Sequence, residues 1–187
     1  LISLNFAYVL LAYFIINIFY SAKLKHVVII DAFVVAFGFV LRVVAGALAI
    51  DVRVSHWILI CTFTLALFLA FGKRRGELLL AENSPKYRRV LSEYDKNFLD
   101  QMISVASAGA IMSYILYTIA PETVANFHTD KLIFTSPFVL FAIYRYQYLI
   151  YKRELGGDPT KTIIQDKGLS VSLIGWLVLS TLILYFN

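Results

Sequence analysis

Apolar residues run in long blocks along the chain, broken by charged segments of unequal length. Six blocks stand out, at roughly 4–20, 27–50, 56–72, 100–120, 132–150 and 169–187. Stretches such as "FAYVLLAYFIINIFY" are apolar on every side and lack the strict alternation of a barrel strand. A helix crosses the bilayer core in about 20 apolar residues. The pattern therefore predicts an all-α, polytopic membrane helical bundle with six transmembrane helices. Three connections hold most of the charge, near 21–26 ("SAKLKH"), 73–99 and 151–168. The other two, 51–55 and 121–131, are short, and the two kinds alternate as a serpentine of six helices requires.

Charge gives the serpentine a direction. Of the 17 lysines and arginines, fourteen belong to the first kind of connection, Arg145 at its edge included. Arg53 and Lys131 lie in the second kind, and Arg42 is inside a span. Positive charge marks the cytoplasmic side, so the large loops are expected to face the cytoplasm and residue 1 the outer side. The expected setting is a multi-pass protein of the cell membrane, with the lipid bilayer as partner and no nucleic acid. Composition agrees: 60% of the 187 residues are hydrophobic and 16% charged, well above a soluble domain's apolar share. The single cysteine, Cys61, excludes a disulfide framework within the chain and a thiolate metal site. No paired histidines, nucleophile elbow or P-loop occur; His26, His56 and His128 sit at span ends.

Some polar residues fall where lipid is expected. Asp31 opens the second span and Arg42 lies inside it, eleven residues on and so on one helical face. Gly38, Ala45 and Gly46 lie on or near that face, where small residues permit close helix approach. Two readings stand for Arg42, a cation in a cavity and a packing partner of another helix. Asp31 equally suits a helix N-terminal acid. "YSAKLK" places Tyr20, Lys23 and Lys25 at the end of the first span, either snorkelling or at a cavity mouth.

The segment "FLAFGKRRGELLLAEN" is the densest in chemistry. Lys73 and Glu77 are four apart and Arg74 and Glu77 three apart, so a helix gathers them on one side. Both signs of charge at the end of a span suit a phosphate and its metal. Ser84 and Pro85 then read as N-cap and first residue of an interfacial amphipathic helix, with Tyr87, Val90, Leu91, Tyr94 and Phe98 as its apolar stripe. Lys86, Arg88, Arg89 and Lys96 lie mostly off the stripe. In the last large loop, Asp158-Pro159 signals the cap of a short helix bracketed by Asp158 and Asp166. Its N-terminus is a further candidate for an anion. Arg145 lies too deep in the fifth span to mark topology alone, and either snorkels to the interface or serves the site.

Together these residues resemble the UbiA-type intramembrane prenyltransferase superfamily, and within it the branch that transfers phosphoribose to decaprenyl phosphate. The resemblance rests on "YSAKLKHVVIIDAFVVAFGFVLRVVAGALAI", "FLAFGKRRGELLLAE", "YDKNFLDQM", "YRYQYL" and "GGDPTKTIIQDKG", spread over nearly the whole chain. Where most of the superfamily has an aspartate-rich "DxxxD", this chain has Lys73, Arg74 and Glu77. That departure counts against a prenyl-pyrophosphate donor and an aromatic acceptor, the nearest alternative. A small transporter is a distant one, since no internal repeat is visible.

The resemblance implies a nine-helix fold, of which this chain supplies the C-terminal two-thirds as a single domain, 1–187. It implies an active site facing the cytoplasm, Mg2+ as cofactor, and phosphoribosyl pyrophosphate and a polyprenyl phosphate as substrates. The magnesium-binding "NDxxDxxxD" of the family is not in this sequence, so the chain is expected to be inactive alone, with Glu77 the one candidate to reach the metal. Substrate contacts are expected from Lys25, Lys73, Arg74, Glu77 and Arg145, and from Tyr20, Asp31, Arg42, Asp158 and Asp166. A homo-oligomer stays open.

Overall fold

The computed structural model describes residues 4–81, 93–153 and 155–186. Every regular element among them is helical. The long helices are α1 (Leu4–Ala22), α2 (Ile30–Ala49), α3 (His56–Ala81), α4 (Lys96–Ile119), α6 (Ser136–Arg153) and α8 (Lys167–Tyr185). Two short ones, α5 (Pro121–Phe127) and α7 (Pro159–Gln165), and 3-10 turns at Leu24–His26, Lys131–Thr135 and Leu155–Gly157 join them.

Five of these helices, α1, α2, α3, α4 and α8, are long and apolar enough to cross a membrane. The sixth, α6, has 18 residues, among them Arg145, Gln147, Lys152 and Arg153, and falls short of that standard. It still lies antiparallel to α8: Ser172 donates to the Phe138 carbonyl at 2.8 Å, and Arg145 meets Asp166. The protein is a polytopic helical bundle, with five clear spans and α6 as a less apolar sixth strut.

Neighbouring helices alternate in direction. Arg42 of α2 reaches Tyr13 of α1, Asp31 at the start of α2 meets Arg74 near the end of α3, and Arg75 meets Asp100 at the start of α4. The core is formed mainly by α3, α4 and α6. Phe68, Leu99, Ile103, Leu149 and Ile150 are fully buried there, against Ala32 and Ala36 of α2. By contrast, α1 buries no residue and packs mainly along α2.

The third span is longer than its apolar block. It was expected to end at residue 72, but α3 continues to Ala81 through Lys73, Arg74, Arg75 and Glu77. The buried Arg74 and Arg75 do not stop the helix because Asp31 and Asp100 on other helices neutralise them, while Lys73 stays exposed. Glycines make this possible: Gly72 and Gly76, one helical turn apart, face Gly156 and Gly157 of the loop after α6. A β-carbon on Gly76 would lie 2.3 Å from the Gly157 nitrogen.

The amphipathic helix expected from Ser84 lies largely on residues 82–92, outside the described residues. Its C-terminal part needs correction. Asp95 is extended (φ −97°, ψ 143°), and its carboxylate accepts from the Phe98 N–H at 3.2 Å, capping α4. Phe98 therefore belongs to α4 and Tyr94 lies outside it, although their rings stack 6.3 Å apart.

Candidate functional site

One end of the bundle gathers most of the charged residues singled out in the sequence. Arg74 is at its centre, only 4% exposed. Its Nε donates to Asp31 Oδ2 at 2.5 Å, Nη1 to Glu77 Oε2 at 2.5 Å, and Nη2 to the Tyr20 hydroxyl at 3.4 Å. Asp31 is wholly buried, and its other oxygen accepts from the Tyr94 hydroxyl at 2.7 Å. Tyr94 in turn accepts from the Ile29 N–H at 2.7 Å. Burial above all, helped by the hydrogen bond to Asp31, pushes the Tyr94 phenol above its ordinary range, so it remains a proton donor. A buried cation held by two carboxylates and one phenol, with a second phenol on one of the carboxylates, has the pairing that burial demands.

Arg75 forms a second knot. Its Nε donates to Asp100 Oδ1 at 2.5 Å, its Nη1 donates to the Ile150 carbonyl at 2.9 Å, and its guanidinium lies 5.0 Å from the centre of the Tyr151 ring. It ties α3 to α4 and α6. The sequence singled out Arg74, three residues from Glu77, but not Arg75, whose acid partner is 25 positions away.

A third pair ties α6 to α8. Arg145 donates to both oxygens of Asp166, at 3.1 and 2.8 Å, and Asp166 also caps α8 by accepting from the Leu169 N–H at 2.9 Å. The Arg145 hydrogen bonds lower the Asp166 pKa to about 2. An acid whose folded pKa lies below its unfolded one stabilises the fold at pH values above the unfolded pKa. That contribution is lost as pH falls from about 4 toward 2. Unfolding midpoints of the wild type and Asp166→Asn should therefore differ most above pH 5 and converge near pH 2. A difference independent of pH would contradict the assignment.

Other candidates fall elsewhere. Asp158 caps α7 as expected, accepting from the Lys161 N–H at 3.2 Å, so that helix start already has its acceptor. Arg42 lies away from Asp31 and is exposed. It donates to the Tyr13 hydroxyl at 2.5 Å, with its guanidinium 5.2 Å from the centre of the Phe39 ring. Arg42, Tyr13, Asn17 and Tyr20 line a groove between α1 and α2 beside Gly38. Tyr20 therefore belongs both to this groove and to the Arg74 cluster. Lys73 is exposed and Lys25 half-buried, and neither forms an ion pair with a described residue. Glu77 pairs with Arg74 rather than with Lys73.

The described residues do not by themselves make a magnesium site. Among the described residues, no three acids, histidines or cysteines converge. Asp31 and Glu77 are both drawn onto Arg74, and a magnesium cage needs carboxylate oxygens free to face the ion.

The arrangement defines a class: a helical membrane protein whose ionic chemistry is concentrated at one end of its spans, beside a polar groove that enters the bundle. No family model matches the chain. Curated relatives do. A decaprenyl-phosphate phosphoribosyltransferase of Mycolicibacterium smegmatis is 26% identical over 192 residues, covering 100% of this chain and 60% of the relative. One from Corynebacterium glutamicum is 31% identical over 178 residues, 92% of this chain and 52% of the relative. One from Mycobacterium tuberculosis is 26% identical over 176 residues, again 92% of this chain, and 56% of the relative. The likeness bears out the resemblance drawn from the motifs: the chain is homologous to these proteins along essentially its whole length. It spans between 52% and 60% of theirs.

Proposed function

We propose that this chain is the C-terminal two-thirds of a UbiA-type domain that transfers 5-phosphoribose from phosphoribosyl pyrophosphate to a polyprenyl phosphate. Decaprenyl phosphate is the acceptor that the relatives' names indicate. The product would serve the synthesis of cell-envelope polysaccharide precursors. The observation that carries the reading is the end-to-end likeness to these transferases in a chain whose charged residues cluster at one end of apolar helices.

In this reaction an oxygen of the lipid phosphate attacks the anomeric carbon, and the bond from that carbon to pyrophosphate breaks. Both substrates are strongly anionic, so the protein's task is to position them and offset their charge. Lys73 and Lys25, which have no acid partner among the described residues, are the cations available for phosphate. Arg74 reaches a phosphate only by giving up Asp31, Glu77 or Tyr20, so its role in this arrangement is to hold Glu77 and the start of α2 in place. The remaining Glu77 oxygen suits a ribose hydroxyl. Arg145 adds a cation at the rim, and the α1–α2 groove with Arg42 gives the lipid phosphate a polar margin.

Magnesium dependence belongs to the same proposal, with metal ligands supplied from outside the described residues. The fourteen cations that the sequence places in or beside the three large loops favour a cytoplasmic-facing site in the cell membrane.

The test is incubation of the complete protein, in lipid nanodiscs, with ribose-labelled phosphoribosyl pyrophosphate and decaprenyl phosphate. A labelled lipid that releases phosphoribose on mild acid is expected. Failure to form it with a competent lipid set and magnesium present would overturn the reading. Label transfer from a prenyl pyrophosphate to an aromatic acceptor would favour the other branch of the superfamily.

A further inference from the structure

The chain enters α2 through a strained turn. Ile29 has φ 68° and ψ −48°, and the Ile30 N–H donates to the Val28 carbonyl at 2.8 Å. This three-residue γ-turn has the rare hand that L residues resist, and a β-branched side chain at positive φ is an outlier. Strain of this kind persists only where the surroundings hold it, and it gathers at functional positions. The holding group is on the page. The Ile29 N–H donates to the Tyr94 hydroxyl at 2.7 Å, and the same hydroxyl donates to Asp31 Oδ1 at 2.7 Å. Tyr94 is 5% exposed and precedes the Asp95 cap of α4, so the turn is held from the segment that enters a different helix.

We propose that Tyr94 is a positioning residue: it clamps the strained turn at Ile29 and thereby fixes the Asp31 carboxylate that orients Arg74 and Glu77. One hydroxyl group serves both ends, the backbone donor that precedes α2 and the carboxylate two residues on. Without it, the turn can relax toward ordinary negative φ, and such a change at Ile29 re-aims the first turn of α2. Arg74 then keeps Glu77 but loses the geometry of its buried partner. Phenylalanine fills the same space without the hydroxyl, so the ring's packing on Phe98 is retained. The effect on catalysis rests on the transfer reading above; the clamp itself does not.

The experiment uses the complete protein in nanodiscs, with Tyr94→Phe, Ile29→Gly and the double variant. Two readouts are followed: turnover of phosphoribosyl transfer, and hydrogen exchange of the peptide containing Ile29. Tyr94→Phe is expected to speed that exchange and lower kcat by about tenfold, the scale set by one buried group left without its partner. The unfolding midpoint should fall, but by less than in Asp31→Ala, because the ring's packing and the Asp31–Arg74 pair are kept while the Ile29 N–H and one Asp31 oxygen lose their partner. Glycine adopts positive φ without strain, so Ile29→Gly in the Tyr94→Phe background should recover much of the lost kcat. Unchanged exchange at Ile29 in Tyr94→Phe overturns the clamp. Unchanged kcat, or no recovery on adding Ile29→Gly, overturns its catalytic role. If the wild type makes no labelled lipid, the transfer reading fails and exchange alone decides the clamp.

Discussion

Replacing Asp31 by alanine is expected to destabilise the bundle by about 3 kcal/mol, because it strands a buried guanidinium and a buried phenol at once. Asp31 is wholly buried and Arg74 only 4% exposed, so water cannot take the carboxylate's place without opening the end of the bundle. Glu77 keeps Arg74 from being fully uncompensated, which puts the loss at the lower end for a broken buried pair. Asp31→Asn should cost less, since the amide oxygen still accepts from Tyr94. Denaturant titration in detergent, read at Trp57 and Trp176, would measure both. Because Asp31 and Arg74 share one network, Asp31→Ala combined with Arg74→Ala should cost clearly less than the sum of the two. Strict additivity would mean that the pair is not coupled.

The second large effect is expected at Gly76. An alanine there puts its β-carbon 2.3 Å from the Gly157 nitrogen and 2.7 Å from the Gly156 carbonyl carbon. These are backbone atoms, so no side chain can rotate out of the way. The loop joining α6 to α7 must move as a unit, at about 3 kcal/mol or more. Gly46 is the internal control, with nothing within 4 Å of an added β-carbon. There alanine should be neutral, or stabilising by up to about 1 kcal/mol through helix propensity alone. The prediction is thus one of opposite sign for the same substitution in two helices of one protein. Unfolding midpoints of the two variants measured side by side would check it, and a stable Gly76→Ala would contradict the packing of α3 on the glycine pair.

Much of this architecture was legible in the sequence. Apolar blocks of spanning length set the helices, and the alternation of charged and short connections set their directions. Asp158-Pro159 announced the cap of α7 because a cap is a local event. Long-range pairing was not legible. The third span was expected to stop at Lys73 because charge near lipid is costly, but the cost depends on partners the sequence does not place nearby. Asp31 and Asp100, far along the chain, make Arg74 and Arg75 compatible with an uninterrupted helix. A signal for the glycine contact was present in "GKRRG", two glycines four apart, overshadowed by the charges between them. Tyr94 looked like one tooth of an apolar stripe, and only the extended Asp95 beside it shows why it turns inward to Asp31.

Arg74 and Asp31 build the frame at this end of the bundle, and the proposed transfer assigns the phosphate to Lys73. The most direct measurement is steady-state phosphoribosyl transfer by the complete protein carrying Lys73→Ala, with its unfolding midpoint recorded in the same preparation. Loss of a cation facing developing charge should lower kcat/KM for phosphoribosyl pyrophosphate by about a hundredfold or more, and an exposed lysine with no ion pair to a described residue should leave the midpoint unchanged. Transfer within about twofold of wild type, far from the effect expected of a phosphate-binding cation, would contradict the account.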